Sequence, residues 1–270
     1  MNTSGKFMLR TDLHLVSWNR PKMTELVIQT IHRNTKRENF RLVVWDNGST
    51  KGVLRLKRLY DDGLIDELIC AYENKGLEFA RQKLLMSHTK SNYFVCVDND
   101  CLPQPMKGGI DWLEKLSMLM DRYEDFAAIA CRTQVMIGTG NIFEEADIVG
   151  DEIVEFPHPG GSLRIMNTRA VQKVGGWDRG ADGRGAEERY IGEKLNNTGY
   201  RTAFATNVRC LHLFGTRGDQ PTDRWGYSAD LKPEDTGHSD IYHPALTNGD
   251  IREDLLMYAG VDDVNNYYSK

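Results

Sequence analysis

The chain has 270 residues, of which 40% are hydrophobic and 27% charged, so it is long enough and apolar enough to bury a core. Its 34 basic and 39 acidic residues give a formal net charge of -5, which argues against a basic nucleic-acid-binding surface over the whole protein. The five cysteines are irregularly spaced and lack a CxxC pair, which argues against a zinc or dithiol site and favours a reduced setting.

Short β-rich runs alternate with helical patterns in the first half of the chain, which is typical of βαβ units and a mostly parallel sheet. The predicted strands cover residues 13–17, 42–45, 67–72, 93–97 and 126–131. The predicted helices cover residues 21–34, 54–60, 77–88 and 110–123. The first of these helices begins with proline, which is favoured in a first helical turn.

The second half of the chain is predicted to be less regular. A stretch rich in glycine and acidic residues, 138–161, is expected to form a long loop that covers or shapes a site. Further elements are predicted at 162–166 (strand), 168–174 (helix), 187–197 (helix) and 202–214 (strand). No repeat or linker divides the chain, so we expect one domain over 1–215 and a C-terminal extension of unknown role over 216–270.

An apolar run at 93–97 is followed at once by Asp98, Asn99 and Asp100. Alternation along an extended chain places the two carboxylates on one side, just past the carboxyl end of a buried strand. Ligands bind at that edge of open α/β sheets, and two close carboxylates repel each other unless a cation lies between them. Such oxygen ligands suit Mg²⁺ or Mn²⁺ bridging a diphosphate, whereas the alternative is a simple turn before Pro103.

Two other predicted strands also end in polar residues. One ends at Asp46 and is followed by Asn47, and the first strand is followed by Asn19 and Arg20. A carboxylate or amide at the same edge of the sheet can hydrogen-bond a nucleotide base. An ordinary turn at Asn47 is the alternative.

The order of these motifs resembles that of the family 2 glycosyltransferases and their GT-A relatives. The matching segments are 17–21, 43–50, 73–85, 95–105, 160–164, 175–178, 187–188, 199–200 and His212. They span about residues 12 to 215 in the family's order, and an ordered series is more specific than any single motif. The resemblance implies a GT-A-type α/β fold with a nucleotide-sugar-binding half at 12–131 and an acceptor half at 132–215.

The resemblance also implies roles for individual residues, by their position in the motifs. Residues expected to bind the donor are Asn19, Arg20, Asp46, Asn47, Lys75, Asp98, Asn99, Gly160 and Gly161. The metal would be held by Asp98, Asp100 and His212. Neutral imidazole is a competent metal ligand, although a core histidine is the alternative for His212.

Glu187 and Glu188 open a predicted helix, where acidic residues also complement the helix dipole. Members of the resembled family usually show Glu then Asp here, so the second glutamate is a departure. We expect Glu188 to act as the general base that removes the acceptor's proton, and Glu187 to contact the acceptor or donor sugar. Trp177 is either an aromatic platform for a sugar ring or part of the core.

The function implied by the resemblance is metal-dependent transfer of a sugar from a nucleotide diphosphate to an acceptor hydroxyl, with inversion. UDP is the commonest nucleotide in the family. The alternatives are a retaining transferase, a Mg²⁺-dependent phosphatase or nucleotidyltransferase, and a non-catalytic sugar-nucleotide-binding module. The acceptor stays open among saccharides, lipid-linked saccharides, proteins, small molecules and modified nucleic-acid bases.

Residues 1–10 lack the apolar stretch of a signal peptide, and nothing in the sequence approaches the ~18 apolar residues of a membrane span. The glycosylation sequon that begins at Asn47 lies in the expected nucleotide pocket, where a glycan would obstruct binding. We therefore expect a cytoplasmic enzyme, which a lipid partner would hold at a membrane surface.

Overall fold

The computed structural model describes residues 10–50, 52–135, 152–158, 160, 163–178 and 187–212. Its strands are β1 (Thr11–Ser17), β2 (Phe40–Asp46), β3 (Glu67–Cys70), β4 (Tyr93–Asp98), β5 (Cys101–Pro103), β6 (Phe126–Val135), β7 (Ile153–Glu155), β8 (Leu163–Asn167) and β9 (Arg201–His212). Its α-helices are α1 (Pro21–Asn34), α2 (Val53–Asp61), α3 (Leu77–Lys83), α4 (Trp112–Arg122), α5 (Thr168–Lys173) and α6 (Glu187–Asn197).

These strands form one sheet in the order β3-β2-β1-β4-β8-β6-β9-β5, and β7 pairs with β9 outside this path. Strands β3, β2, β1 and β4 are parallel to one another, as the βαβ pattern predicts. Strand β8 runs antiparallel to both β4 and β6, while β6 and β9 are parallel. The sheet therefore has a parallel half, which carries the predicted nucleotide-binding motifs, and a mixed half.

The sheet lies between two apolar layers, and the central strand β4 contributes to both. Val95 and Val97 pack into the layer that contains α1, α2 and α4, whereas Phe94 and Cys96 pack into the layer that contains α5 and α6. Successive side chains of a strand point to opposite faces, so an uninterrupted apolar run is what a strand covered on both faces requires. None of the helices described combines the length and the apolar character needed to cross a membrane.

Several predicted boundaries are confirmed, and a few elements differ. The helices predicted at 21–34 and 187–197 match α1 and α6 at both ends. The helix predicted at 77–88 is α-helical only as far as Lys83 and continues as a π-helical turn over Leu84–His88.

Two short strands were not predicted from the sequence. Strand β5 was not predicted, because three residues that include a proline carry no alternating pattern. The long loop predicted at 138–161 is wrong in one part, because Ile153–Glu155 forms β7 and pairs antiparallel with β9. Residues 136–151 and the tail 216–270 lie outside the described ranges.

Candidate active site

The carboxyl ends of the parallel strands bring the predicted polar residues to one edge of the sheet. In the strand register Ser17 lies beside Asp46, and Val16 lies beside Asp98. The turn that follows β1 carries Asn19 and Arg20, so it leaves the sheet at the same edge. The prediction that these motifs converge follows from parallel pairing, and the register agrees with it.

The acidic pair lies where β4 ends and β5 begins. Asp98, Asp100 and Cys101 each offer a ligand atom, and these atoms lie within 4.8 Å of one another. The Cys101 thiol donates to Asp100 Oδ1 at 3.6 Å, and burial raises the pKa of Cys101 well above its ordinary value. The thiol is therefore neutral, and the charged donors are two carboxylates, which fits a hard cation such as Mg²⁺ or Mn²⁺.

Each carboxylate of this pair also faces an arginine. Arg81 Nη2 donates to Asp98 Oδ1 at 2.7 Å, and Arg20 Nη1 lies 3.6 Å from Asp100 Oδ2. The Arg20 and Asp100 side chains are 7% and 10% exposed. Burying charges is costly unless they are paired, so these arginines balance the negative charge of the acidic pair.

The backbone of β9 brings His212 next to the acidic turn. In the strand register His212 lies opposite Cys101 on one side and beside Val135 on the other. The residue that follows Asp100 is therefore the direct cross-strand neighbour of His212. Sequence separation hides this proximity, since more than a hundred residues lie between the two positions.

Asp46 and Asn19 are joined through the turn that follows β2. Asp46 is 1% exposed, and its carboxylate accepts from the Ser49 backbone N–H at 3.0 Å and from the Ser49 hydroxyl. Asn19 donates its backbone N–H to Ser49 Oγ at 2.8 Å and accepts from Thr50 N at 2.8 Å. Burial raises the pKa of Asp46, although the two bonds from Ser49 act in the opposite direction.

Asn47 joins the turn after β2 to the loop after β3. Its Nδ2 donates to Asn74 Oδ1 at 2.6 Å, and its Oδ1 accepts weakly from Trp45 Nε1 and from the Lys75 backbone N–H, each at 3.4 Å. The Lys75 ammonium lies 5.4 Å from the centre of the Phe79 ring. The Asn47 amide therefore holds the two turns in register, while the half-exposed Lys75 ammonium also lies 3.0 Å from Glu73 Oε1.

Gly48 makes the close approach of these turns possible. It has φ +76, and a Cβ at this position would lie 2.4 Å from the Glu73 carbonyl carbon and 2.6 Å from the Asn74 nitrogen. Backbone atoms cannot give way as a flexible side chain can. Glycine therefore satisfies two requirements here, the left-handed conformation and the contact with the neighbouring loop.

Glu187, the first residue of α6, is buried among two arginines and a tryptophan. Its Oε1 contacts Arg81 Nη1, and its Oε2 accepts from Trp177 Nε1 at 2.6 Å and lies 3.6 Å from Arg164 Nη2. The residue is 5% exposed, and the two arginine side chains are 3% and 1% exposed. This cluster, which we call the Arg81–Glu187 cluster, fixes the start of α6 against α3 and β8.

Glu188 follows in the same helical turn and is only partly buried. Burial opposes the charge on Arg81, yet the pKa of Arg81 is raised, and the carboxylates of Asp98 and Glu188 are among the causes. Glu188 is therefore within electrostatic reach of the arginine that also pairs with Asp98. A partly exposed carboxylate at this place has the chemistry of a proton acceptor.

Trp177 fills the core, which was one of its two expected roles. It is buried, its ring meets Phe94 edge-on at 6.2 Å, and its backbone N–H donates to Gln82 Oε1 at 2.7 Å. Of the glycine pair expected to approach a sugar, Gly160 is partly buried, and a Cβ added there would have no described atom within 4 Å. Gly161 lies outside the described residues.

Sequence reasoning missed the roles of Arg81 and Arg164. Arg81 lies on a short helix where a charged residue ordinarily faces solvent, so its burial has no local signal. Arg164 does carry one, because it interrupts the otherwise apolar strand β8. A charge in the middle of a buried strand indicates an acidic partner elsewhere in the chain.

The family model for glycosyl transferase family 2 matches residues 13–174 of the chain. This stretch begins inside β1 and ends just after α5, so it contains the acidic pair, Arg81 and Arg164. A comparison with individual curated protein sequences finds no significant match.

Solved structures with a similar fold include GalNAc-T7 with UDP, GalNAc and Mn²⁺, at a TM-score of 0.65 and 15% identity, covering 80% of this chain and 46% of that one. The mannosyltransferase PcManGT from Pyrobaculum calidifontis, in complex with GDP-Man and Mn²⁺, has a TM-score of 0.58 and 17% identity over 79% of this chain and 59% of that one. TarS from S. aureus, residues 1-349, has a TM-score of 0.60 and 13% identity over 76% and 60%.

The chain thus spans about half to three fifths of the solved chains that it matches, with shares of 46%, 59% and 60%. At these levels of identity the likeness concerns the fold. Together with the family match, it confirms the GT-A-type α/β fold that the motif order predicts.

Proposed function

The chain belongs to glycosyl transferase family 2, and from that premise we propose that it transfers a sugar from a nucleotide diphosphate to an acceptor hydroxyl with the help of Mn²⁺ or Mg²⁺. The observation that carries the proposal is the acidic pair Asp98 and Asp100 at the carboxyl edge of the parallel strands, with ligand atoms within 4.8 Å. Two of the similar structures contain Mn²⁺ with UDP or GDP-Man. UDP is the first nucleotide to test.

In this proposal Asp98 and Asp100 hold the metal, with His212 as a third ligand supplied by the neighbouring strand. The bound metal would stabilise the negative charge that develops on the leaving diphosphate. Two carboxylates give the hard oxygen donors that Mn²⁺ and Mg²⁺ prefer. Arg20, which lies 3.6 Å from Asp100, is placed to pair with the diphosphate as well.

The donor nucleoside is proposed to bind at the ends of β1 and β2. Asp46 and Asn19 offer acceptor groups there, and Asn47 and Lys75 border the same pocket through their contact at 3.4 Å. Asn99, Gly160 and Gly161 are proposed to lie along the donor sugar. The nucleotide-binding half is then 12–131 and the acceptor half 132–215, with 216–270 as an extension.

The acceptor is proposed to be activated by Glu188. The acceptor hydroxyl loses its proton to the Glu188 carboxylate as its oxygen forms a bond to the anomeric carbon. The bond from that carbon to the diphosphate breaks on the opposite side, and the nucleoside diphosphate leaves with the electron pair. This in-line displacement inverts the anomeric centre. A cytoplasmic location, with access to acceptors at a membrane surface, is part of the same proposal.

The test is to incubate the protein with a panel of UDP- and GDP-sugars and Mn²⁺, with and without simple saccharide acceptors, and to identify the products. The proposal predicts release of the nucleoside diphosphate from one donor, and NMR of the glycosylated product should show the inverted anomeric configuration. Retention would identify the retaining alternative. Release of phosphate or pyrophosphate would indicate the phosphatase or nucleotidyltransferase alternative, and binding without release would indicate a binding module.

A further inference from the structure

The Arg81 guanidinium lies between two carboxylates that belong to different parts of the proposed reaction. Its Nη2 is 2.7 Å from Asp98 Oδ1, and its Nη1 contacts Glu187 Oε1. Asp98 is a proposed metal ligand, whereas Glu187 immediately precedes the proposed base, Glu188. The Arg81 side chain is 3% exposed, so solvent does not screen either contact.

The single positive charge of Arg81 is shared between the two carboxylates that it contacts. A positive charge held against Asp98 opposes the approach of a cation to the same carboxylate, because both compete for its oxygen atoms. A negative charge at Glu187 draws the guanidinium in the other direction. The affinity for a metal at Asp98 therefore depends on how strongly Arg81 interacts with Asp98 and how strongly it interacts with Glu187.

We propose that Arg81 is a positioning residue that couples metal binding at Asp98 to the placement of Glu188, with Glu187 as the second partner of the guanidinium. The inference rests on the proposed function for the identity of the metal site. When a divalent cation occupies Asp98, Arg81 loses that partner, and its pairing with Glu187 strengthens the attachment of the α6 start. Linkage makes the effect reciprocal, so a firmly held α6 start favours the metal.

The rest of the cluster allows the coupling to be tested without losing the fold. If Arg81 is replaced, Glu187 keeps Trp177 at 2.6 Å and Arg164 at 3.6 Å. In Glu187→Gln the side-chain oxygen can still accept from Trp177, so the variant removes the charge and preserves the shape. Each substitution thus changes how the positive charge is shared between Asp98 and Glu187 more than it changes the packing.

The two substitutions should shift metal affinity in opposite directions. Arg81→Gln removes the competitor of the metal, and Mn²⁺ should bind more tightly. Glu187→Gln removes the carboxylate that competes with Asp98 for direct contact with Arg81, and Mn²⁺ should bind more weakly. Arg81→Lys keeps one positive charge without the forked geometry, so its affinity should lie between those of Arg81→Gln and the wild type.

The sheet offers a matched control at its opposite edge. Arg41 also bridges two carboxylates, with Nε 2.6 Å from Asp12 Oδ1 and Nη1 2.8 Å from Glu67 Oε2. Its partners lie at the amino ends of β1 and β3, far along the strands from Asp98. Arg41→Gln should lower stability without changing the affinity for Mn²⁺.

The experiment is titration of the full chain with Mn²⁺ alone, followed by electron paramagnetic resonance of the free ion, for the wild type and the four variants. We expect the affinity for Mn²⁺ to rise at least about fivefold in Arg81→Gln and to fall at least about fivefold in Glu187→Gln. Changes of this size are usual for coupling between two sites. Thermal melting of each variant identifies any that fails to fold. Arg81→Lys then provides a second test, because its affinity for Mn²⁺ should lie between those of Arg81→Gln and the wild type.

Two results would overturn the proposal, and they differ in what else they affect. In the first, the wild type binds Mn²⁺ tightly, but the affinities of Arg81→Gln and Glu187→Gln shift in the same direction or do not shift. This result would contradict the coupling and leave the proposed function intact. Failure of the wild type to bind Mn²⁺ removes the metal site from the proposed function and the coupling with it.

Discussion

The indole nitrogen of Trp177 donates to Glu187 Oε2 at 2.6 Å. Arg81 forms an ion pair with the other oxygen, so a buried side chain lies against each oxygen of Glu187. The next residue, Glu188, is chemically identical but only partly buried. Two adjacent glutamates thus have different surroundings, which favours an anchoring role for the first and a reactive role for the second.

Replacement of Glu188 by Gln is expected to lower kcat by about 100-fold or more, the usual loss when a general base is removed. The binding of the donor, measured by calorimetry, should stay within about twofold, because Glu188 is proposed to act on the acceptor. Glu193→Gln is the control, since Glu193 is exposed on the same helix and pairs with Arg189 at 2.7 Å. Equal rates for the two variants would contradict the assignment of Glu188.

Gly48→Ala is expected to be more destabilising than Gly63→Ala. Both glycines have φ near +75, but a Cβ at Gly48 meets backbone at 2.4 Å, whereas no described atom lies within 4 Å of a Cβ at Gly63. Gly63→Ala should cost about 1–2 kcal/mol for the left-handed conformation. Gly48→Ala should cost about 1–3 kcal/mol more, as overpacking does.

Urea unfolding of the two glycine variants provides this measurement. Gly48→Ala should also weaken nucleotide binding, because the turn that carries Asn47 must move. Equal losses of stability in the two variants would show that the close contact of Gly48 with the Glu73–Asn74 backbone does not affect the free energy of unfolding.

The stability of the protein is expected to fall below pH 6.5 through His14. This side chain is buried and stacks on Phe94 at 5.1 Å, and burial lowers the pKa of His14 to about 3 from its ordinary value of 6.5. Between these values the unfolded chain binds a proton that the folded chain does not, so acid favours unfolding. From pH 7.5 to 5.5 the loss from this group is about 1.4 kcal/mol.

The control for this pH effect is His14→Gln, which removes the titrating group. The variant has its own cost at neutral pH, so the comparison is between the two pH dependences measured by urea unfolding. The wild type should lose more stability than the variant between pH 7.5 and 5.5. Parallel curves would contradict a neutral, buried His14.

The parts of the fold that local patterns determine were predictable from sequence. Helix α1 was placed correctly at both ends because proline favours its first turn and its apolar residues recur at helical spacing. The gathering of Asp46 and Asp98 followed from the rule that parallel strands share a carboxyl edge. Strand β5 was not predictable, since it pairs with residues far along the chain, Cys210 to His212.

The Arg81–Glu187 cluster shows the limit of such reasoning. Its members come from α3, β8, the turn after α5 that carries Trp177, and α6, and no spacing within the sequence connects them. Only the fold brings the start of α6 next to Arg81 and makes this helical arginine the partner of two carboxylates. The resemblance predicted Glu187 and Glu188 as a pair, but the separation of their environments required the structure.

Binding of nucleoside diphosphates tests whether Asp98 and Asp100 form a metal-dependent nucleotide site. Thermal melting should be followed with UDP and GDP, with and without Mn²⁺, for the wild type, the Asp98→Ala, Asp100→Ala double variant, and an Asp61→Ala, Asp62→Ala control at the exposed end of α2. We predict stabilisation by one nucleotide that requires Mn²⁺, persists in the control and disappears in the Asp98, Asp100 variant. Stabilisation that is independent of Mn²⁺ or unchanged in that variant, or no stabilisation by either nucleotide, would contradict it.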